Sequence, residues 1–112
     1  MANNYLNNAD YFILKNRQLI PCDFLTYANW YENNPQERIV SKTKIKQTEI
    51  STVYIGKSTF LNVDLPFETM VFGGEYDGEQ KRYATFEEAM IGHQKMIEKI
   101  DNEIFDWVVQ GF

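Results

Sequence analysis

The chain has one cysteine and one histidine among its 112 residues, and both scarcities exclude a good deal. A lone Cys22 cannot close an internal disulfide, which fits a reducing cytosol. Cys22 and His93 together fall short of the three or four N/S ligands that a zinc site needs. No apolar run approaches the roughly 18 residues of a membrane span. The opening MANNYLNNAD lacks the basic-then-apolar order of a signal peptide. No G-x-S-x-G elbow surrounds Ser51 or Thr52, and Gly73-Gly74 belongs to no phosphate-loop pattern. The expectation is a soluble, intracellular chain with no membrane partner, no metal, no cofactor and no catalytic set; it does not read as an enzyme.

What is present points to a folded domain. The sequence is 44% hydrophobic and 24% charged, a globular balance. Its length suits one domain over residues 1–112, with 1–9 as a flexible N-terminus. Net charge is −5 and unevenly spread: residues 1–63 hold seven basic and five acidic side chains, residues 64–112 four basic and eleven acidic. This balance argues against direct nucleic-acid binding, which draws its affinity from neutralised phosphates. It suits contact with a basic partner surface, and equally it keeps a small protein in solution.

Periodicity then orders the chain. YFILK (Tyr11–Lys15) and Gln18–Ile20 read as a hairpin around Asn16-Arg17, stopped by Pro21. Asp23 caps a helix across Phe24–Asn33 (about 23–34 with its caps), ended by Asn33-Asn34-Pro35. Arg38–Lys46 and Glu49–Gly56 alternate as strands joined at Gln47-Thr48, and residues 57–66 form the longest irregular stretch. In the first of these strands Ile39, Ser41, Thr43 and Ile45 share one face, and Arg38, Val40, Lys42, Lys44 and Lys46 the other. Phe67–Phe72 is apolar enough to sit centrally, and Gly73-Gly74 and Asp77-Gly78 turn the chain into Gln80–Ala84. Thr85-x-x-Glu88 is a capping box, in which the Glu88 carboxylate reaches back to the Thr85 amide. It opens a long helix, about 86–109, with an apolar stripe of period 3.6. The predicted architecture is α+β: an antiparallel meander with both helices packed on one face.

Candidate site residues fall into three groups. Arg38, Lys42, Lys44 and Lys46 put four positive charges on one strand face, which suits a phosphate-rich ligand or an acidic patch, or simply discourages edge pairing. With Tyr54 or Tyr83 nearby they could hold a nucleotide. Glu75-x-Asp77-x-Glu79 alternates acids beside glycines as a calcium loop does, yet lacks that loop's remaining ligands and reads more simply as a solvated turn. Tyr76, Tyr83, Trp30, Tyr31 and Trp107 are contact aromatics. Phe105, Trp107 and Phe112, at the end of the long helix, are candidates for a homo-oligomer contact. His93 and Cys22 are the only conventional nucleophile–base pair, and nothing in the sequence brings them together.

At STVYIG (Ser51–Gly56), FETMVFGG (Phe67–Gly74) and RYATFEEAMIGH (Arg82–His93) the chain resembles a family of short uncharacterised proteins of tailed phages and prophages. The likeness continues upstream through YFILKN, LTYANWYE and RIVSKTKI, so it covers most of residues 11–100. The resemblance implies a viral gene product acting in the bacterial host cytoplasm, and brings no established activity. Relatives carry an Asp-His pair and a Gly/Pro-rich loop after the strand matching Ser51–Gly56. Here Lys57-Ser58 and a shorter loop stand there, so chemistry done by that pair is not expected of this chain. The functional expectation is a non-enzymatic accessory protein that binds a host protein, for instance to block a defence system such as a CRISPR effector. The alternatives are a module that sequesters an anionic or nucleotide ligand, and a structural protein of the virion.

Overall fold

The structure, a computed structural model, describes the backbone of residues 10–58 and 64–110 and the side chains of residues 10–57 and 64–101. It is α+β, as expected. The strands divide into two sheets, however, and each helix serves a different one.

The first sheet begins with the hairpin of β1 (Tyr11–Lys15) and β2 (Gln18–Cys22). Asn16 and Arg17 both adopt positive φ, 51° and 67°, which matches the right-handed twist of a two-residue hairpin. Pro21 does not stop β2. It pairs with Phe12 in what is an edge strand, where a missing N–H costs no ladder bond if it faces outward. Helix α1 (Phe24–Asn33) follows, and the Asp23 carboxylate accepts from the Thr26 amide at 2.8 Å as its N-cap. The helix lies on β1 rather than on the main sheet.

A short 3₁₀ turn, Gln36–Arg38, leads into the second sheet: β3 (Ile39–Ile45), β4 (Thr48–Tyr54), β6 (Phe67–Phe72) and β7 (Gln80–Tyr83), antiparallel in that order. Between β4 and β6 the chain visits the first sheet as β5 (Lys57–Ser58), paired with β1. That excursion replaces part of the irregular stretch expected over 57–66. The Tyr54 hydroxyl holds it, donating to the Phe12 carbonyl at 2.7 Å and accepting from the Lys57 amide at 2.8 Å. The turn between β3 and β4 is Lys46-Gln47, one residue earlier than expected, because Thr48 pairs with Ile45 and is buried.

A bulge near the start of β3 rewrites its faces. Ile39 pairs with Val53, but Ser41 pairs with Thr52, leaving Val40 as the extra residue. Val40 therefore packs into the core, contrary to its expected place beside the lysines, and Ile39 no longer shares the face of Thr43 and Ile45.

Helix α2 (Phe86–Gln110) covers one face of this sheet. Its N-terminus is held by the Thr85 hydroxyl, which accepts from the Glu88 amide at 3.1 Å. The Glu88 carboxylate reaches one residue further back than the pattern predicts, accepting from the Ala84 amide at 3.2 Å. Beneath α2 the core falls into two apolar clusters. Leu14, Tyr54, Phe67, Tyr83 and Ala89 form one; Ile50, Val71, Met96 and Ile100 form the other.

A polar layer separates them. Thr52 pairs with Thr69 midway along β4 and β6, their hydroxyls 2.5 Å apart, and His93 stands over them. Its Nδ1 lies 2.7 Å from the Thr52 hydroxyl and its Nε2 2.9 Å from that of Thr43. A neutral imidazole satisfies this chain with one donating and one accepting nitrogen. Each such bond is worth about 0.5–1.5 kcal/mol net, and leaving one partner unmatched costs more, so the layer fixes the register of helix on sheet.

Candidate functional site

The cationic row does not survive folding. Arg38 leaves the strand for the 3₁₀ turn, where its guanidinium stacks 3.9 Å from the centre of the Tyr31 ring. Lys46 takes the positive-φ turn position. Only Lys42 and Lys44 remain on the sheet face turned from α2, across from Ser51 and Glu49 on β4. Tyr54 and Tyr83, expected beside these cations, are core residues on the opposite face. Burial pushes the Tyr54 phenol pKa well up, against the smaller opposite pull of the Lys57 amide, and the neutral hydroxyl donates to the Phe12 carbonyl. No nucleotide site is assembled from this set.

The acidic turn is a structural turn. Asp77 accepts from the Gly73 amide at 2.6 Å, and Glu79 pairs with Lys99 at 2.6 Å. Gly73, at φ 85°, approaches the β3–β4 turn so closely that a Cβ there would collide with the Gln47 carbonyl. Among the described residues no group of three or more His, Cys, Asp or Glu side chains is placed to hold a metal ion. Three of the expected residues do meet: Lys46, Glu75 and Tyr76 border a cleft of about 260 Å³ floored by Ile45 and Ile100. The opposite charges on its rim leave it without a net field to select a ligand.

His93 and Cys22 are both occupied by the fold. His93 is 4% exposed with both ring nitrogens bonded to threonines, and desolvation lowers its pKa. Cys22 precedes α1, yet burial raises its thiol pKa, and the Asp23 carboxylate adds to the effect. The side chains of Phe105, Trp107 and Phe112 lie outside the described residues.

The surface that stands out lies on α1. None of its ten residues is buried, although six are apolar or aromatic. Leu25 is 77% exposed, Phe24 54% and neighbouring Ile20 37%. Ring contacts bind this surface together and to the core. Tyr11 meets Phe24 at 5.3 Å and Tyr27 at 5.6 Å, Tyr27 meets Tyr31 at 5.7 Å, and Trp30 meets Tyr54 at 5.9 Å. Anchored rings of this kind give contact area at little entropic cost, and Tyr, Trp and Arg are the residue types that dominate interface energetics. Asp23 caps the helix, Glu32 lies on it, Glu37 follows in the 3₁₀ turn and Asp10 precedes β1; all four are exposed, and the Arg38 guanidinium stacks on Tyr31. Trp30 and Tyr31, expected as contact aromatics, lie on this helix and are half-buried. Phe24, Leu25 and Ile20 were missed, though apolar residues at 24, 25, 27, 28, 30 and 31 exceed the single stripe a two-stranded hairpin can cover.

No helix among the described residues is long and apolar enough to cross a membrane. Compared with protein-family models, curated proteins and solved structures, the chain gives no match.

Proposed function

We propose that this chain is a phage or prophage accessory protein that acts in the bacterial host cytoplasm by binding a host protein, with a defence effector of the CRISPR type as the class of target. The observation that carries the binding reading is the α1 surface: an apolar, aromatic centre rimmed by exposed carboxylates. Its partner is therefore a protein with an apolar pocket and a basic rim. Phage origin is supported by the ordered motifs Ser51–Gly56, Phe67–Gly74 and Arg82–His93. Binding is favoured over catalysis by the state of His93, whose two nitrogens are already engaged.

The acidic rim and the −7 balance of residues 64–112 would speed encounter with a basic surface, an effect that salt weakens. Burial of Leu25 and Phe24 would supply holding energy, about 1.5–3 kcal/mol for each side chain fully covered. Losing one anchor of that size weakens binding by at least about tenfold.

The test compares the wild-type chain with Leu25→Asp in pull-downs from host lysate over graded salt, followed by affinity measurement on the purified partner. Leu25 is exposed, so the melting temperature should stay put. A partner that is retained at low salt and lost with Leu25→Asp supports the reading. Equal capture by both proteins, or none at any salt, overturns it.

A further inference from the structure

A second feature, remote from α1 in sequence and independent of the reading above, lies between the edge strand β7 and α2. On β7, Lys81 pairs with buried Thr69 and Tyr83 with buried Phe67, so both side chains face the helix. On α2, Gly92, Lys95 and Lys99 follow at three- and four-residue spacing and form one stripe toward β7. Together they line a groove of about 160 Å³.

Its charge runs against its surroundings. Residues 64–112 hold only four basic side chains, and three of them meet here. The fourth, Arg82, points to the other face and pairs with Glu68 at 3.1 Å. Glu79 engages Lys99, while Lys81 and Lys95 make no ion pair among the described residues. Three lysines against one glutamate leave the groove at +2 in a chain of net −5.

The groove also holds an unused donor. Tyr83 is 7% exposed, and its hydroxyl has no hydrogen-bond partner among the described residues. A buried hydroxyl is rarely left so. The phenol end lies against Gly92, at the place where a Cβ on that residue would collide with it. Lacking a side chain, Gly92 leaves room for the phenol end of Tyr83, and both residues line the groove. Ammonium groups around a neutral O–H donor match an oxyanion, whose oxygens accept from each. The volume admits one phosphate group and is well below the roughly 300 Å³ at which drug-sized ligands begin.

We infer that the β7–α2 groove binds a phosphate-type oxyanion, free or as the end group of a small phosphomonoester. Lys81 and Lys95 supply the charge, Tyr83 donates its hydroxyl, and Gly92 leaves the space that the Tyr83 phenol fills. Lys99 stays with Glu79, its ammonium 4.6 Å from the centre of the Tyr76 ring.

Calorimetry and thermal unfolding with inorganic phosphate, and separately with glycerol phosphate, test this at constant ionic strength against chloride. Wild type should show saturable binding and a melting temperature that climbs with the logarithm of ligand concentration. The Lys81→Gln/Lys95→Gln double variant should bind at least tenfold more weakly. Tyr83→Phe should melt higher without ligand yet bind phosphate several-fold more weakly, a combination that a purely structural tyrosine would not give. Tighter binding of glycerol phosphate assigns the esterified source, and tighter binding of inorganic phosphate the free ion. Equal responses to phosphate and chloride, or equal affinity in the double variant, overturn the inference.

Discussion

Gly92→Ala sets two well-measured effects against each other. Gly92 occupies a helix interior and is not among the positive-φ residues, so its backbone accepts any L-residue. By helix propensity alone, alanine there should stabilise the protein by about 0.8–1.0 kcal/mol. The surroundings oppose this. A Cβ at that position would overlap the Cε1, Cζ and hydroxyl oxygen of Tyr83. Tyr83 cannot swing aside freely, because its ring belongs to the buried cluster with Phe67 and Ala89. Overpacking a filled core costs about 1–3 kcal/mol. The balance is a net loss of roughly 0–2 kcal/mol where the helix rule alone forecasts a gain. For a domain of this size that is a fall in melting temperature of up to about 8 °C in place of a rise of about 4 °C. Urea unfolding followed by circular dichroism at 222 nm reads the difference. The cycle with Tyr83→Ala isolates its cause: with the ring removed, Gly92→Ala should recover its helix increment. A full stabilising increment in the presence of Tyr83 would refute the packing explanation.

The buried polar layer makes stability depend on pH. Desolvation holds the His93 pKa below its ordinary value of 6.5, so at mildly acidic pH the unfolded chain binds a proton that the folded chain refuses. Its contribution is therefore complete above about pH 6.5 and is lost as pH falls from there through the depressed folded value. Urea titrations from pH 7.5 to 5 should show this decline, and His93→Gln should remove its share of the slope; identical slopes in both proteins would contradict the assignment. At the start of α2, Thr85→Ala removes the acceptor of the Glu88 amide and should cost about 1 kcal/mol, with Thr85→Ser restoring most of it. Thermal melts of the three proteins check this, and an unchanged Thr85→Ala midpoint would count against the cap.

Elements whose signals are local could be read in advance. The hairpin at Asn16-Arg17, the Asp23 cap, the strand Phe67–Phe72 and the Thr85 start of the long helix each depend on residues within about four positions of one another. Features in which the structure departs from these local signals depend on pairing at a distance. The bulge that turns Val40 inward exists because β3 must register with β4, and no period-two count along β3 reveals it. Likewise the lysines at 42, 44 and 46 look like one row until the turn at Lys46 sends the last of them elsewhere.

Sites were the least legible part, since each joins segments far apart in the chain. Lys81 and Lys95 signal nothing individually, and become a pair only when β7 lies along α2. The exposed α1 surface had a faint local sign, too many apolar residues for one stripe, but which of them face solvent depends on the hairpin beneath.

By itself the sequence determined the class of fold, most element positions, the helix caps and the charge asymmetry, because propensity, capping and turn chemistry act over a few residues. Only the tertiary structure decided that the strands split into two sheets, that His93 would bridge Thr43 and Thr52, and which cations would meet. Those outcomes follow from long-range pairing and burial, whose free energy belongs to contacts between segments and is written in no single segment.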